Sequence, residues 1–207
     1  MLTLSMLQTL WPHGNQKIPG LIEEISKAAP VVFPKYGLVN DLAIAHAMAQ
    51  FSHECEAGLE VVENLNYRAD QLLHQWPHHF TPAQAIAMQH NPRLIADHAY
   101  GGRMGNALPP SDDGWNYRGR GASQTTGKDA YTKLAKTSGL DLVNHPDLVN
   151  NPDTFLECAV ADFVQCGCLP FAMEDDLFQV TQHLNGGQIG AKQRESWLKL
   201  WKHVLSI

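Results

Sequence analysis

A long apolar helix, predicted from Asp41 to Ala57, constrains the fold of this chain more than any other stretch. Ile44, Met48, Phe51 and Cys55 recur along it at spacings of four, three and four residues, so they lie on one helical face. An asparagine before the stretch and a glycine after it fit a helix start and a helix stop. We therefore expect a central core helix on which other elements pack.

Nine further helices are predicted from apolar periodicity, capping residues and the positions of proline and glycine. They span residues 2–12, 19–29, 68–76, 82–90, 93–99, 128–138, 153–166, 175–184 and 191–204. Pro30 and Pro34 are predicted to bracket a turn after the second of these. From Tyr100 to Gly127, seven glycines within 28 residues predict an irregular loop with short strands at most. The sequence predicts one mainly α-helical domain, residues 1–207, with a glycine-rich central loop region.

The charge and hydropathy of the chain exclude several classes of protein. The formal net charge is −6, and no basic stripe exists with which to neutralise nucleic-acid phosphates. No stretch of 18 apolar residues occurs, so stable membrane insertion is not expected. The N-terminus has no basic residue before Lys17 and therefore lacks the positive region of a signal peptide. We expect a soluble protein that is synthesised in the cytoplasm.

The four cysteines, Cys55, Cys158, Cys166 and Cys168, are expected to be reduced and mostly buried. The last two are too close together for the usual zinc knuckle, and no second such pair exists. No disulfide framework is therefore predicted.

A zinc amidase or peptidase is one alternative, because the chain has 11 histidines. His53-Glu54 would need a second histidine at position 57, where Ala57 stands. His74 and His78 are four residues apart, but a proline interrupts the helix that they would share. The sequence predicts neither a metal site nor any other cofactor.

Two carboxylates near the end of the long helix are candidates for acid–base chemistry. Glu54 and Glu63 would lie on opposite faces of a continuous helix, but Gly58 is predicted to end it, so the segment up to Tyr67 can fold back. Two carboxylates in different environments of one cleft are what glycoside hydrolysis requires. The alternative is that both are ordinary surface glutamates.

The glycine-rich segment offers candidates for holding a water and a sugar. Gln124 and Thr126 alternate, so in an extended segment their side chains would point the same way. A purely structural turn is the alternative. Asn185, followed by two glycines, is either a helix cap or a group that holds a sugar N-acetyl substituent.

Six motifs in order give the chain a specific resemblance, which covers roughly residues 40–205. It resembles glycoside hydrolase family 19, which contains plant-type chitinases and, more similar to this chain, phage endolysins with lysozyme activity. The motifs are Ser52-His53-Glu54, Glu63-Asn64-Leu65-Asn66-Tyr67, Arg103-Met104-Gly105-Asn106, Gly114-Trp115-Asn116-Tyr117-Arg118-Gly119-Arg120-Gly121, Gln124-Thr125-Thr126-Gly127 and Asn185-Gly186-Gly187.

The resemblance implies a lysozyme-like α-helical fold and inverting hydrolysis of a β-1,4 bond beside an N-acetylated sugar. It assigns Glu54 as the general acid, Glu63 as the second carboxylate and Asn185 as a substrate contact. It also assigns Gln124 and Thr126 to holding the attacking water. For an inverting enzyme the carboxyl groups are expected to be about 6.5–9.5 Å apart.

Departures from the chitinase pattern favour the endolysin branch. Chitinases have His-Glu-Thr-Thr-Gly-Gly where this chain has His53-Glu54-Cys55-Glu56-Ala57-Gly58, and Thr126 replaces a serine. Trp76 stands where chitinases have their second glutamate. The resemblance therefore favours a lysozyme-like enzyme acting on the glycan strands of bacterial peptidoglycan, with chitin hydrolysis as the alternative.

Aromatic and cationic side chains complete the predicted substrate surface. Trp115 is the best candidate for a wall of the cleft, with Tyr67 and Arg118 as further contacts. Trp11 and Trp76 could also stack on sugars, and a non-catalytic wall-binding module would use such residues without needing two acids. Trp197 and Trp201 are expected to pack in the core. We expect a monomer that acts on the cell wall after release or export.

Overall fold

The computed structural model describes residues 2–207, which form twelve α-helices, two short 3-10 helices and no β-strand beyond isolated bridges. The predicted mainly α-helical class is therefore confirmed. The helices are α1 (Leu4–Leu10), α2 (Leu21–Lys35), α3 (Asp41–Glu54), α4 (Ala69–Gln75), α5 (Pro82–Met88), α6 (Pro92–Tyr100), α7 (Asp113–Asn116), α8 (Lys128–Ser138), α9 (Pro152–Gln165), α10 (Leu169–Met173), α11 (Leu177–Asn185) and α12 (Ala191–Leu205). The 3-10 helices are Glu56–Gly58 and Pro146–Asn150.

The chain forms two compact units. Unit 1 comprises the chain up to Val61 together with Arg120–Gln124 and Leu134–Ile207, and unit 2 comprises Val62–Gly119 and Thr125–Lys133. The single catalytic domain expected for residues 1–207 stays a prediction.

Helix α3 is the core of unit 1, as predicted. Every residue from Ala43 to Ser52 is buried, and α12, α10 and α9 all pack against it. The Asn40 side chain accepts a hydrogen bond from the backbone N–H of Ala43, which caps the helix start. The helix ends at Glu54 rather than at Ala57, so Glu54 is its last residue.

A buried serine anchors two tryptophans on α3. The indole N–H groups of Trp11 and Trp201 both donate to Oγ of Ser52, each at 2.8 Å, and Ser52 donates to the carbonyl oxygen of Met48. Both indoles are buried. Trp201 thus packs in the core as expected, whereas the suggestion that Trp11 could stack on a sugar is wrong.

The turn predicted at Pro30 and Pro34 is wrong, because both prolines lie inside α2. Each proline removes a backbone donor from the helix. The apolar face of α2, which includes Val32 and Phe33, is buried against α9, and this burial outweighs the local cost.

Two short helices were not predicted. Asp113–Asn116 interrupts the glycine-rich segment, and Leu169–Met173 follows α9. With four and five residues respectively, neither is long enough to show a helical period. The other predicted helices exist, and their ends agree to within three residues except for that of α2, which runs six residues further than predicted.

Unit 2 has its own apolar core, formed mainly by α4, α5 and α6. Its buried members are Leu65, Leu72, Phe80, Ala85, Ile95, Ala96 and Ala99. Trp76 packs on this core with its ring edge-on to Tyr67 and Tyr100. Trp76 is therefore largely engaged in packing within unit 2.

All four cysteines are free, and all but Cys166 are buried. Burial raises the pKa of the Cys55 and Cys158 thiols to about 12. Within residues 2–207, no helix is both long and apolar enough to cross a membrane.

Candidate active site

Glu54 is held in unit 1 by a buried arginine that the sequence did not point to. Nη2 of Arg194 donates to Oε1 of Glu54 at 2.5 Å, and the two side chains are 1% and 17% exposed. The carboxyl group of Glu54 therefore has a charged partner. Oε2 of Glu54 has no hydrogen-bond partner within residues 2–207.

Arg194 is itself fixed by acceptors on each side. Its Nε donates to the carbonyl oxygen of Ile189 at 3.1 Å, and its Nη1 donates to Oε1 of Gln50. Gln50 in turn donates to Oγ1 of Thr181. A hydrogen-bonded chain thus joins α11, α3 and α12 and ends at Glu54. Gln50, a polar residue four positions before Glu54 on an apolar helix, was the sequence signal that could have indicated this partner.

His53 lies beside this series of hydrogen bonds, and its imidazole ring packs against the backbone of Gly190. A Cβ at Gly190 would come within 2.1 Å of its Nε2, so only glycine fits there. Burial, and to a smaller extent the charge of Arg194, lowers the pKa of His53. We expect a neutral imidazole at pH 7.

Glu63 is held in unit 2 by donors to both of its oxygens. The Tyr100 hydroxyl donates to Oε1, and the backbone N–H of Gly119 donates to Oε2 at 3.3 Å. The Glu63 backbone N–H also donates to the Gly119 carbonyl oxygen at 2.9 Å. Glu63 is thus anchored through both its side chain and its backbone, and is not a loose surface glutamate.

Two tyrosines surround Glu63. Burial, followed by the charge of Glu63, raises the pKa of both Tyr100 and Tyr67. Both hydroxyls therefore keep their protons throughout the neutral range. Tyr100 is a hydrogen-bond donor to Glu63 that the sequence did not indicate, since Tyr100 begins the glycine-rich segment without belonging to any motif.

Trp115 and Arg118 form a stacked pair in unit 2. The guanidinium carbon of Arg118 lies 3.7 Å from the Trp115 ring centroid, and Nη1 donates to the Trp115 carbonyl oxygen at 2.8 Å. The Trp115 backbone N–H donates to Oδ1 of Asp97. One face of the half-buried indole is therefore covered by a cation.

The extended conformation predicted for Gln124 and Thr126 is wrong. Gln124 has φ +53°, in the left-handed region, and its side-chain amide donates to the carbonyl oxygens of Glu60 and Gly121 at 2.8 and 3.2 Å. Thr126 is half-buried in unit 2, next to Gly127, whose N–H donates to the Tyr117 carbonyl oxygen. The tight glycine turn prevents the simple alternation that a strand would give.

Asn185 is the last residue of α11, and Gly186 follows it with φ +71° as a left-handed cap. Its side-chain amide reaches the Gly187 carbonyl oxygen only at 3.5 Å. The capping role falls to the glycine backbone, so the Asn185 amide is weakly engaged.

No group of three or more His, Cys, Asp or Glu residues converges as a metal ligand set within residues 2–207.

Comparison with known proteins identifies relatives of the chain. No family model matches it. A glycosyl hydrolase family 19 domain-containing protein of Haemophilus influenzae is 34% identical over 181 residues, which cover 87% of this chain and 88% of the relative. Chitinase C from Streptomyces griseus HUT6037 superimposes with a TM-score of 0.64 at 16% identity, over 99% of this chain and 92% of that one. A mutant of chitinase C gives 0.65 at 14% identity, with the same coverage. The fold expected from the six motifs is thereby confirmed.

Proposed function

The chain belongs to glycoside hydrolase family 19 and is a glycosidase, and we propose that it cleaves the glycan strands of bacterial peptidoglycan. The bond cut is the β-1,4 linkage between N-acetylated sugars. The mechanism is inverting and uses two carboxyl groups, Glu54 as the acid and Glu63 as the base.

The observation that carries the proposal is the asymmetry of the two oxygens of Glu54. Oε1 accepts from Arg194, whereas Oε2 has no partner within residues 2–207. A neutral carboxyl group accepts through its carbonyl oxygen and donates through its hydroxyl. With Oε1 accepting from Arg194, Oε2 is the oxygen through which a protonated Glu54 would donate to the glycosidic oxygen.

The surroundings of Glu63 support its role as the base. Donors to both oxygens, from Tyr100 and Gly119, hold the Glu63 carboxyl group in one position. Each oxygen keeps a second lone pair with which to accept a proton from water. Thr126, through its hydroxyl, helps to aim that water at the face of the sugar opposite the leaving group.

Peptidoglycan is proposed over chitin on the basis of charge. The N-acetylmuramic acid residues of peptidoglycan bear stem peptides with free carboxylates, whereas chitin is neutral. The Arg118 guanidinium stacked on Trp115 is a group that recognises such a carboxylate. The chain also departs from the chitinase pattern at Cys55-Glu56-Ala57.

The remaining substrate contacts follow from the predicted motifs. We propose that Tyr67 and Asn185 hold the sugar, with the Asn185 amide on an N-acetyl group. We propose Gln124, whose side-chain amide is positioned by the carbonyl oxygen of Glu60, as a further substrate contact. No cofactor is required, and the enzyme acts as a monomer on the wall after release or export.

A chitinase acting on chitin oligomers is the second candidate, favoured by the structural likeness to chitinase C.

A test compares the turbidity loss of outer-membrane-permeabilised Gram-negative cells with the hydrolysis of soluble chitin. We expect the wild type to clear cells and Glu54→Gln and Glu63→Gln, both folded, to fail. Hydrolysis of chitin without clearing would select the chitinase. Variants that clear as well as the wild type would overturn the catalytic assignment, and hydrolysis of neither substrate by the wild type would point to a wall-binding module.

A further inference from the structure

An open cavity of about 480 Å³ lies in unit 1 beside the C-terminal end of α3. The turn after α1, the segment that follows α3, and α12 form its walls. Leu10, Ala57 and Leu59 contribute apolar surface. None of the residues assigned above to catalysis or substrate binding lines it.

Trp197, which lines the cavity, differs from two other tryptophans of unit 1 in its burial and its hydrogen bonding. Trp11 and Trp201 are buried with their indole N–H groups bonded to Ser52. Trp197, one turn before Trp201, is only half-buried and lines the cavity, and its N–H has no hydrogen-bond partner within residues 2–207. The expectation that Trp197 is a core residue therefore holds only in part.

Four polar side chains around the same cavity also have no hydrogen-bond partner within the described residues. His13, His53, Glu56 and Gln193 line it, and their side chains make no hydrogen bond within the described part of the chain. By contrast, Gln50 on the other side of α3 uses both ends of its amide. The cavity thus offers donors and acceptors that the fold does not consume.

The backbone bordering the cavity is strained. Glu56, Ala57 and Gly58 follow one another with φ of +45°, +53° and +90°. A Cβ at Gly58 would lie 3.0 Å from the Gly14 backbone, so the two chain segments touch there. Non-glycine residues persist in this conformation only where surrounding contacts impose it, and such strain clusters at ligand sites.

We propose that this cavity is a second glycan-binding site, in which a pyranose ring of the polymer stacks on the indole of Trp197. A pyranose has apolar C–H faces and a rim of hydroxyl groups, and the lining of the cavity complements both. Gln193 and His13 are placed to hydrogen-bond the hydroxyls. The inference rests on the proposed function in one respect, because its ligand is the polymer that the enzyme is proposed to cleave.

The charge of the lining favours a sugar over the acidic stem peptides of peptidoglycan. Glu56 is an exposed carboxylate and would repel an acidic peptide, whereas a neutral sugar is not repelled. His53 offers no compensating positive charge at pH 7, because its burial lowers its pKa. A second site on the same strand holds the enzyme on an insoluble polymer by raising its effective concentration there.

The test measures binding in a Glu54→Gln background, in which the polymer is not consumed. Co-sedimentation with insoluble peptidoglycan, and separately with chitin, gives the dissociation constant. Adding Trp197→Ala is expected to weaken binding to the polymer about tenfold, the effect of losing one aromatic contact. Leu200→Ala, an exposed apolar position on the same helix but outside the cavity, is the matched control and is expected to leave binding unchanged.

Two milder variants keep the test decisive if Trp197→Ala does not fold. Gln193→Ala and His13→Ala, both at exposed positions, are expected to weaken polymer binding severalfold while leaving hydrolysis of a soluble tetrasaccharide unchanged. The proposal is overturned if all cavity variants that fold bind like Leu200→Ala, or if the Glu54→Gln parent binds neither polymer. Failure of the proposed function would be seen in a different measurement, in which the wild-type enzyme does not hydrolyse peptidoglycan.

Discussion

Arg194 donates through Nη2 to Glu54 and through Nη1 to Gln50, so one buried guanidinium joins the last turn of α3 to α12. A single planar group thereby fixes which oxygen of Glu54 faces the protein and which remains available. The orientation of the proposed acid depends on this one side chain.

Replacing Arg194 by alanine is expected to lower the free energy of unfolding by about 3–5 kcal/mol, because Glu54 and Gln50 lose their buried partner. The hydrolytic activity of this variant should also fall, because Glu54 is no longer held in place. Urea unfolding followed by circular dichroism measures the first effect. Lys199→Ala removes an exposed ion pair with Glu195 on the same helix and should give no measurable change. Equal stability of the two variants would show that Arg194 does not hold α3 and α12 together.

Tyr100→Phe removes the hydroxyl donor to Glu63 without removing the ring. We expect kcat to fall about 10- to 100-fold with little change in KM, since a misplaced base acts mainly on the chemical step. Tyr36→Phe is a matched control, because the Tyr36 hydroxyl donates to Glu157 in an analogous pair within unit 1. Loss of activity in both variants, or in neither, would contradict the assigned role of Tyr100.

Stability is expected to decrease as the pH falls below about 6.5, because His46 is buried in the middle of α3. Burial lowers the pKa of His46 below its ordinary value of 6.5, so the unfolded chain binds the proton more readily than the folded one. Protonation would also place a proton on Nδ1, a buried atom without a hydrogen-bond partner within residues 2–207.

His46→Gln removes this titration, and the unfolding free energy of that variant should depend less on pH between 7 and 5. The wild type should lose at most about 1.4 kcal/mol per pH unit more than the variant. Identical pH profiles for the two proteins would exclude His46 as the source.

Ala57→Gly is expected to stabilise the protein by about 0.5–1 kcal/mol, because glycine adopts the observed φ of +53° without the steric cost of a Cβ. Thermal unfolding measures the change. Ala135→Gly, in the middle of α8, should instead destabilise by about 1 kcal/mol. If both substitutions destabilise, the strain assigned to Ala57 is absent.

Features that depend on residues close together in the sequence were predictable, whereas contacts between residues far apart in the sequence were not. Helix α3, with Glu54 near its end, followed from a local apolar period. The partner of Glu54 did not, because Arg194 is 140 residues away and its contact requires α12 to dock on α3. Pro34 was misassigned because burial outweighed a local preference. Gln124 was misassigned because a glycine turn placed it in a left-handed conformation that alternation cannot predict.

The most direct measurement of the central claim is the anomeric configuration of the first product released from peptidoglycan, followed by proton NMR. An inverting enzyme that uses Glu54 and Glu63 gives the α-anomer first, and Glu54→Gln and Glu63→Gln each give no product above background. A β-anomer as the first product, or product formation by either folded variant at the wild-type rate, would contradict the two-carboxylate inverting mechanism.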